Sequence, residues 1–226
     1  MTKVFIIGQG YVGLTVAKFA AGKYQVIGFD NNEKLVDQLN AGISHIEGID
    51  SKELLALRSG DSYKATSKGK DIQQCEIVVI AVPTPLKEDR TPDLRHIESA
   101  CKTIAENAKG PLLIINESTS YPGTLRDVII PIVNRNKPDE SITIYFASAP
   151  ERVNPGDSVW NQKNTPRLVG AIDSASQTRA LAFYESICDA AVLVSTPEIA
   201  EAAKLLENTF RLVNIALINE FTQLCS

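Results

Sequence analysis

The chain has 226 residues with 44% hydrophobic content and a formal net charge of -4, which suits one large domain, or one domain and part of another. The negative charge gives no global attraction to nucleic acid or to an anionic membrane, and no apolar stretch approaches the ~20 residues that cross a bilayer. Since the chain leads from Met1 directly into a strand with no signal peptide, we expect a cytoplasmic protein without a nucleic-acid partner or membrane insertion.

Apolar strands alternate with helical segments, which predicts an α/β fold with a doubly wound, mainly parallel Rossmann-type sheet. In chain order we predict strands at 4–7, 24–30, 63–66, 75–82, 112–116, 142–148, 167–170 and 191–195. We predict helices at 11–21, 33–39, 51–57, 93–108, from 122 onward, at 174–187 and from 197 onward. Ser51 is the expected cap of the third helix, and Pro122 is expected to open the fifth.

The last predicted helix is unusually long. Apolar residues recur at helical spacing from Pro197, and no glycine or proline interrupts the pattern up to Ser226. A helix of this length exceeds the usual 8–20 residues, and such helices typically bridge two domains or join two subunits. We therefore divide the chain into a Rossmann-like domain at 1–195 and the start of a long connecting helix at 196–226. The exposed apolar stripe of such a helix predicts self-association.

A glycine-rich turn follows the first strand, as Gly8-Gln9-Gly10-Tyr11-Val12-Gly13, and the second strand ends on Asp30. The first glycine permits a tight turn, the second lets a pyrophosphate approach the backbone, and the third lets the helix pack on the strand. The acid can accept hydrogen bonds from a ribose and would repel a 2′-phosphate, which favours NAD over NADP. FAD and S-adenosylmethionine sites use similar loops, and a purely structural turn would leave the same pattern.

Cysteine and histidine offer little chemistry in this sequence. The four cysteines (Cys75, Cys101, Cys188 and Cys225) are scattered without a CxxC pair, which is typical of reduced core thiols in a cytoplasmic protein. His45 and His96 are too far apart to indicate a metal site. We therefore predict no metal.

Polar residues follow three of the predicted strands, in the segments 83–85, 117–119 and 151–152. Each segment alone could be an ordinary turn. Ligands of doubly wound sheets bind at the carboxyl ends of the strands, so these residues and the glycine loop are expected to share one rim.

Five segments together resemble the UDP-glucose/GDP-mannose dehydrogenase family. They are 8–14, 82–85, 117–119 with 122–124, 149–153, and the pair Lys204 and Asn208 in the long helix. They occur in the family's order and span the whole chain. The segments 117–124 and 150–156, with 45–47 before them, are similar to the branch that acts on UDP-N-acetylglucosamine or UDP-N-acetylmannosamine.

The resemblance implies that NAD accepts two hydrides as the 6-hydroxyl of a UDP-sugar becomes a uronic acid, and it implies a homodimer built on the long helix. The implied catalytic residues are Thr119 and Glu151, which hold a water, and Lys204 and Asn208, which stabilise developing negative charge. The implied cofactor contacts are Gly8, Gly10, Tyr11, Val12, Gly13, Asp30, Val82, Pro83, Thr84 and Thr119. The implied substrate contacts are Glu151, Arg152, Val153, Lys204, Asn208 and Arg211.

The sequence departs from the family pattern in three places. None of its cysteines lies in a Gly-Gly-x-Cys segment, the family's nucleophile motif, and the UDP-binding domain is absent. The basic residue usually found five after the acid of the second strand is Leu35 here. We expect an N-terminal portion of a longer enzyme that binds NAD and does not complete the reaction. Two alternatives stay open: a stand-alone NAD-binding regulatory module, and a 3-hydroxyacid or 6-phosphogluconate type dehydrogenase.

Overall fold

A computed structural model describes residues 1–153 and 159–225. Its eight strands are β1 Lys3–Ile7, β2 Gln25–Phe29, β3 Tyr63–Thr66, β4 Ile77–Ile80, β5 Leu112–Asn116, β6 Ile144–Ser148, β7 Arg167–Ala171 and β8 Ala191–Val194. Its seven α-helices are α1 Tyr11–Ala20, α2 Glu33–Asn40, α3 Ser51–Ser59, α4 Arg95–Asn107, α5 Ile130–Asn136, α6 Ser174–Ile187 and α7 Pro197–Leu224. The alternation predicted from the sequence is confirmed.

The strands form one sheet in the order β3-β2-β1-β4-β5-β6-β7-β8. Every neighbouring pair is parallel except β6 and β7, which run antiparallel through Ala147 and Ser148. The predicted mainly parallel sheet is therefore confirmed. Strand order reverses between β1 and β4, and the crevice above such a switch point is where doubly wound sheets bind ligands.

Two apolar clusters cover the two faces of the sheet. Successive residues of a strand point to opposite faces, so Val4 and Ile6 belong to one cluster whereas Phe5 and Ile7 belong to the other. Burial on both faces explains why β1 reads as a continuous apolar run in the sequence.

Three local predictions were wrong in detail. Asp50, rather than Ser51, caps α3: its carboxylate accepts from the Glu53 amide, and the Glu53 side chain accepts from the Asp50 amide. This reciprocal capping box uses two donors that would otherwise be unpaired, so the helix starts one residue later than its cap. The predicted strand 75–82 is only Ile77–Ile80, and a 3₁₀ segment at Gly69–Gln74 ends two residues before its first residue.

Pro122 does not open the fifth helix. The next residue, Gly123, has φ +99°, a left-handed conformation that a right-handed helix does not contain, so the helical segment begins only after it. The chain then enters a π-helical turn at Leu125–Ile129 before α5 begins.

The long helix α7 has 28 residues and two distinct parts. Its first turns pack against β6, β7 and β8, and Pro197, Ala200, Glu201 and Lys204 are buried there. Beyond that point its apolar side chains are exposed: Leu206, Phe210, Leu212, Val213, Ile215, Leu217, Ile218, Phe221 and Leu224. Within the described residues, no helix combines the length and the apolar character that a membrane crossing requires.

Candidate functional site

The glycine loop joins β1 to α1 with almost no spare room at two of its three glycines. Gly8 has φ +91°, and a Cβ there would lie 2.4 Å from the Ala81 carbonyl oxygen. A Cβ on Gly13 would lie 1.8 Å from the Gly8 carbonyl oxygen, so α1 packs directly on the loop. Gly10 differs, because a Cβ there would meet no described atom within 4 Å. The loop thus leaves open space at the residue that caps the N-terminus of α1, where backbone N–H groups favour an anion.

Asp30 is fixed at the end of β2 by two backbone donors. The Gln9 amide donates to Oδ2 over 3.0 Å, and the Asn32 amide donates to Oδ1 over 3.0 Å. The carboxylate lies in a cavity of about 460 Å³ at the switch point of the sheet. That cavity is lined by Ile7, Gly8, Phe29, Asp30, Asn31, Asn32, Val82, Pro83, His96, Ser99, Ala100 and Thr103. The open space at Gly10 and the carboxylate of Asp30 are the features that a dinucleotide site requires.

Gln9, between the first two glycines, is a structural residue that the sequence reasoning missed. Its buried side chain donates to the carbonyl oxygens of Ile6 and Gly8, and it accepts from the Tyr63 hydroxyl over 2.9 Å. A Cβ on Gly28 would lie 2.3 Å from the Gln9 side-chain oxygen, which explains a glycine in the middle of β2. The sequence carried no signal of this role, because the burial of Gln9 and its contact with Tyr63 appear only in the folded chain.

A second cavity, of about 210 Å³, collects residues that follow three strands, β4, β5 and β6, together with one residue of α1 and one of α7. It is lined by Val12, Ala81, Val82, Pro83, Thr84, Glu117, Ser118, Thr119, Glu151 and Lys204. Val82 and Pro83 line both cavities, so the two spaces adjoin. The Val82 amide donates to the Ser118 hydroxyl over 2.9 Å, which ties two of the rim segments together. Three of the four residues with an implied catalytic role therefore share one cavity.

Lys204 is the cation of this second cavity and is 9% exposed. Burial lowers the pKa of its ammonium group, while the nearby charges of Glu151 and Glu207 act in the opposite direction. Glu151 is also buried, and its carboxylate accepts from the Val153 amide. A buried cation beside a buried carboxylate can bind and polarise an oxygen atom of a ligand.

Asn208 and Arg211 are half-buried and lie one and two turns beyond Lys204 on α7. They are outside the described lining of the second cavity. Arg152 forms an ion pair with Glu207 on the same helix, and its Nε donates to Glu207 over 2.8 Å. The segment 154–158, which completes the motif 150–156, lies outside the described residues.

Tyr11 and Val153 line a third cavity, of about 710 Å³, together with Thr15, Lys18, Phe19, Ile46, Glu47, Gly48, Trp160, Asn161, Gln162 and Lys163. Burial raises the pKa of the Tyr11 hydroxyl, and the charge of Glu151 raises it further. The phenol is therefore electrostatically coupled to Glu151, a residue of the second cavity.

A fully buried ion pair supports two segments of the rim from behind. Arg167 donates to the Glu117 carboxylate over 3.2 Å and to the Ala149 carbonyl over 3.1 Å, and the Tyr184 hydroxyl donates to Glu117 over 2.6 Å. Burial raises the pKa of Glu117, whereas the Arg167 charge lowers it. Glu117 itself lines the second cavity, and Ala149 lies two residues before Glu151, so Arg167 connects the two segments that carry these residues.

The buried cysteines are poor nucleophiles. Burial raises the pKa of Cys75 and of Cys101 to about 12, and burial raises that of Cys188 as well. The thiolate is the reactive form, so these three thiols are inert at neutral pH. Cys225 is exposed near the end of α7. Among the described residues, no group of three or more His, Cys, Asp or Glu side chains could hold a metal ion.

Comparison with known proteins agrees with this geometry. Residues 2–188 match the profile of the UDP-glucose/GDP-mannose dehydrogenase family, NAD binding domain, and residues 198–226 match the central domain of the same family. The chain is 35% identical to a UDP-N-acetyl-D-mannosamine dehydrogenase from Pyrococcus horikoshii over 98% of this chain and 53% of that protein. It is 34% identical to a UDP-N-acetyl-D-glucosamine 6-dehydrogenase from Pseudomonas aeruginosa, over 96% of this chain and 51% of that protein.

The fold matches as well as the sequence. A solved structure of the UDP-D-ManNAc dehydrogenase from Pyrococcus horikoshii superposes with a TM-score of 0.89 at 35% identity, covering 99% of this chain and 54% of that one. The chain thus spans about half the length of the curated relatives it matches.

Proposed function

Because the chain belongs to the UDP-glucose/GDP-mannose dehydrogenase family, we propose that it is the NAD-binding part of an enzyme that oxidises the 6-hydroxyl of a UDP-N-acetylhexosamine to a uronic acid. The observation that carries the proposal is the meeting of Thr119, Glu151 and Lys204 in one cavity beside the dinucleotide cavity. Residues 1–195 form the cofactor domain in this account, and residues 196–226 begin the helix that connects to the rest of the enzyme.

The residues of the first cavity bind the cofactor. The free amides at the start of α1 meet the pyrophosphate at Gly10, and the Asp30 carboxylate accepts from the adenosine ribose. The cofactor is also contacted by the first residues of α1, which are Tyr11, Val12 and Gly13. On the opposite side of the crevice it is contacted by Val82, Pro83 and Thr84. When bound, NAD supplies the hydride acceptor.

The residues of the second cavity accept the proton of the sugar hydroxyl and stabilise the negative charge that develops on its oxygen. The sugar 6-hydroxyl must lose its proton as the hydride leaves its carbon, and Thr119 and Glu151 hold the water that takes it. Lys204 donates a hydrogen bond to the oxygen where negative charge develops, and Asn208 assists it from the next turn of α7.

The substrate-binding surface extends beyond this cavity. Glu151, Arg152 and Val153 lie on one segment, and Arg211 follows Asn208 on α7. Two arginines suit a diphosphate, since guanidinium groups bind phosphate oxygens in pairs. Tyr11 and Val153 add the third cavity to the substrate side.

The second oxidation in the family uses a cysteine, and the three buried cysteines of this chain are unsuited to it. We propose that the part of the relatives that this chain does not span supplies the nucleophile and the remaining UDP pocket. We also propose a homodimer built on the exposed apolar side chains of α7.

Ligand titration followed by NMR tests the assignment. The NAD-saturated chain is titrated with UDP-N-acetylmannosamine, UDP-N-acetylglucosamine, UDP-glucose and 3-hydroxyisobutyrate. We expect the two UDP-N-acetylhexosamines to shift the amide resonances of Thr119, Glu151 and Lys204, and Lys204→Met to abolish that response. The control Lys102→Met changes an exposed lysine of α4 and leaves it intact. A response to the hydroxyacid alone, or to none of the sugars, contradicts the proposal.

A further inference from the structure

Glu201 is a fully buried carboxylate on α7 whose two oxygens both accept backbone hydrogen bonds from another element. The Gly123 amide donates to Oε2 over 2.7 Å, and the Leu125 amide donates to Oε1 over 3.0 Å. A buried charge is costly unless it is paired or hydrogen-bonded, so these two bonds are what makes the side chain tolerable here.

The two donors are amides that the local backbone leaves unpaired. Gly123 has a left-handed conformation, and Leu125 opens the π-helical turn, so neither amide has a carbonyl partner earlier in a helix. Glu201 therefore caps this turn from a distant part of the chain. A second contact joins the same elements on the outside, because Arg126 pairs with Glu198 over 2.8 Å.

This contact connects two residues of the second cavity. Lys204 follows Glu201 by three residues, so the two side chains lie on the same side of α7. Thr119 precedes Gly123 by four residues and lies in the same connecting segment after β5. The carboxylate thus joins the helix that carries Lys204 to the segment that carries Thr119, and both residues line one cavity.

We propose that Glu201 is a positioning residue that fastens the segment 119–125 to α7 and thereby sets Thr119 at its working distance from Lys204. The use of Thr119 and Lys204 in catalysis rests on the proposed function. The fastening itself rests on the two hydrogen bonds and on the burial of Glu201.

The charge state of Glu201 makes the fastening measurable. Burial raises the pKa of Glu201 to about 7, the bonds from Gly123 and Leu125 lower it, and the charges of Glu198 and Asp127 raise it. Arg126, which pairs with Glu198, also interacts electrostatically with Glu201. Above pH 7 the carboxylate accepts both amides with full charge, and below pH 7 one oxygen carries a proton and the fastening weakens.

Amide hydrogen exchange and amide proton shifts at Gly123 and Leu125 test the proposal on the whole chain, with Glu201→Gln as the variant. At pH 8 we expect exchange at both amides to accelerate about tenfold or more in the variant, because glutamine offers one uncharged acceptor to two amides, so one hydrogen bond is lost and the other no longer involves a charge. In the wild-type chain we expect both shifts to inflect near pH 7 and NAD affinity to change over the same range. We expect the variant to show no such inflection in either property.

Glu220→Gln is the control, since it removes an exposed carboxylate from the same helix, far from the segment 119–125. It is expected to leave exchange at Gly123 and Leu125 unchanged. Wild-type exchange rates in Glu201→Gln, with NAD still bound, overturn the inference and leave the proposed function standing. If exchange accelerates in Glu201→Gln but the wild-type chain does not bind NAD, the inference stands and the proposed function is overturned. If Glu201→Gln does not fold, exchange in the wild-type chain decides, and amides of Gly123 and Leu125 that exchange as fast as amides without a hydrogen bond overturn the inference.

Discussion

The backbone amide of Gln9 donates to Oδ2 of Asp30 over 3.0 Å, so the glycine loop and the acid at the end of β2 are one unit. The acid has two tasks, because the same carboxylate that orders the loop also faces the dinucleotide cavity. Its second oxygen is oriented by the Asn32 amide. The ribose acceptor is therefore held in place before any ligand binds.

Asp30→Asn tests this double role. An amide side chain offers one acceptor instead of two and removes the charge, so both the Gln9 contact and the ribose contact weaken. We expect NAD affinity to fall by about 1.5–3 kcal/mol, the range for hydrogen bonds to charged groups. Titration calorimetry measures the change. Glu33→Gln removes an exposed carboxylate from the first turn of α2 and is expected to leave affinity unchanged. If NAD affinity fell equally in the two variants, only the net charge of the chain, and not the position of Asp30, would determine NAD binding.

Gly10→Ala should separate ligand binding from folding. A Cβ at this position meets no described atom within 4 Å, and its φ of -71° suits alanine. We therefore expect stability to stay within about 0.5 kcal/mol, as for surface substitutions away from special features. NAD binding should nevertheless be lost, because the methyl group occupies the space that the pyrophosphate needs.

Alanine substitutions at two other glycines serve as controls for the Gly10→Ala result. Gly13→Ala places a Cβ 1.8 Å from the Gly8 carbonyl oxygen and should unfold or severely destabilise the chain, whereas Gly22→Ala meets nothing within 4 Å and should affect neither property. Urea denaturation and NAD titration of all three variants make the comparison. Normal NAD binding by Gly10→Ala would mean that this space is not the phosphate site.

Arg167→Met should reveal the buried ion pair behind the rim. Glu117 would keep only the Tyr184 hydroxyl as a partner, and an uncompensated buried charge costs about 3–5 kcal/mol in the free energy of unfolding. Arg126→Met breaks the exposed pair with Glu198 and should cost about 1 kcal/mol or less. Urea unfolding of both variants gives the two values. Similar losses would mean that the Arg167 pair contributes no more than a surface contact.

The apolar side chains of α7 should drive self-association. Leu206, Phe210, Val213, Leu217 and Phe221 lie on one side of the helix at three- and four-residue spacing and are exposed. We expect the chain to sediment as a dimer at tens of micromolar concentration. Leu217→Glu places a charge within the stripe and should yield monomers, and Gln223→Glu adds the same charge to an exposed polar position as a control. A monomeric wild-type chain would contradict the proposed interface.

Local patterns account for the part of this structure that the sequence predicts. The glycine turn, the acid on the second strand and the alternation of strands and helices follow from backbone sterics and from burial on both faces of the sheet. Each depends on residues close together in the chain. The antiparallel turn of β7 and the π-helical turn after Gly123 escaped prediction, since neither leaves a periodic signal.

The supporting contacts could not be predicted for a different reason. Tyr63 reaches Gln9 across 54 positions, Arg167 reaches Glu117 across 50, and Glu201 reaches Gly123 across 78. In the sequence Glu201 is indistinguishable from any glutamate near the start of an amphipathic helix. Only the folded chain shows that its carboxylate is buried and shared between two amides.

Titration of the wild-type chain with NAD⁺ and, in parallel, with NADP⁺ tests the central claim most directly. The account predicts one NAD⁺ bound per chain, and NADP⁺ weaker by about tenfold or more, because its 2′-phosphate would lie against the Asp30 carboxylate and like charges in contact cost several kcal/mol. If calorimetry and a second binding assay detect no binding of NAD⁺, or if the two dinucleotides bind with equal affinity, the assignment of an NAD site is contradicted.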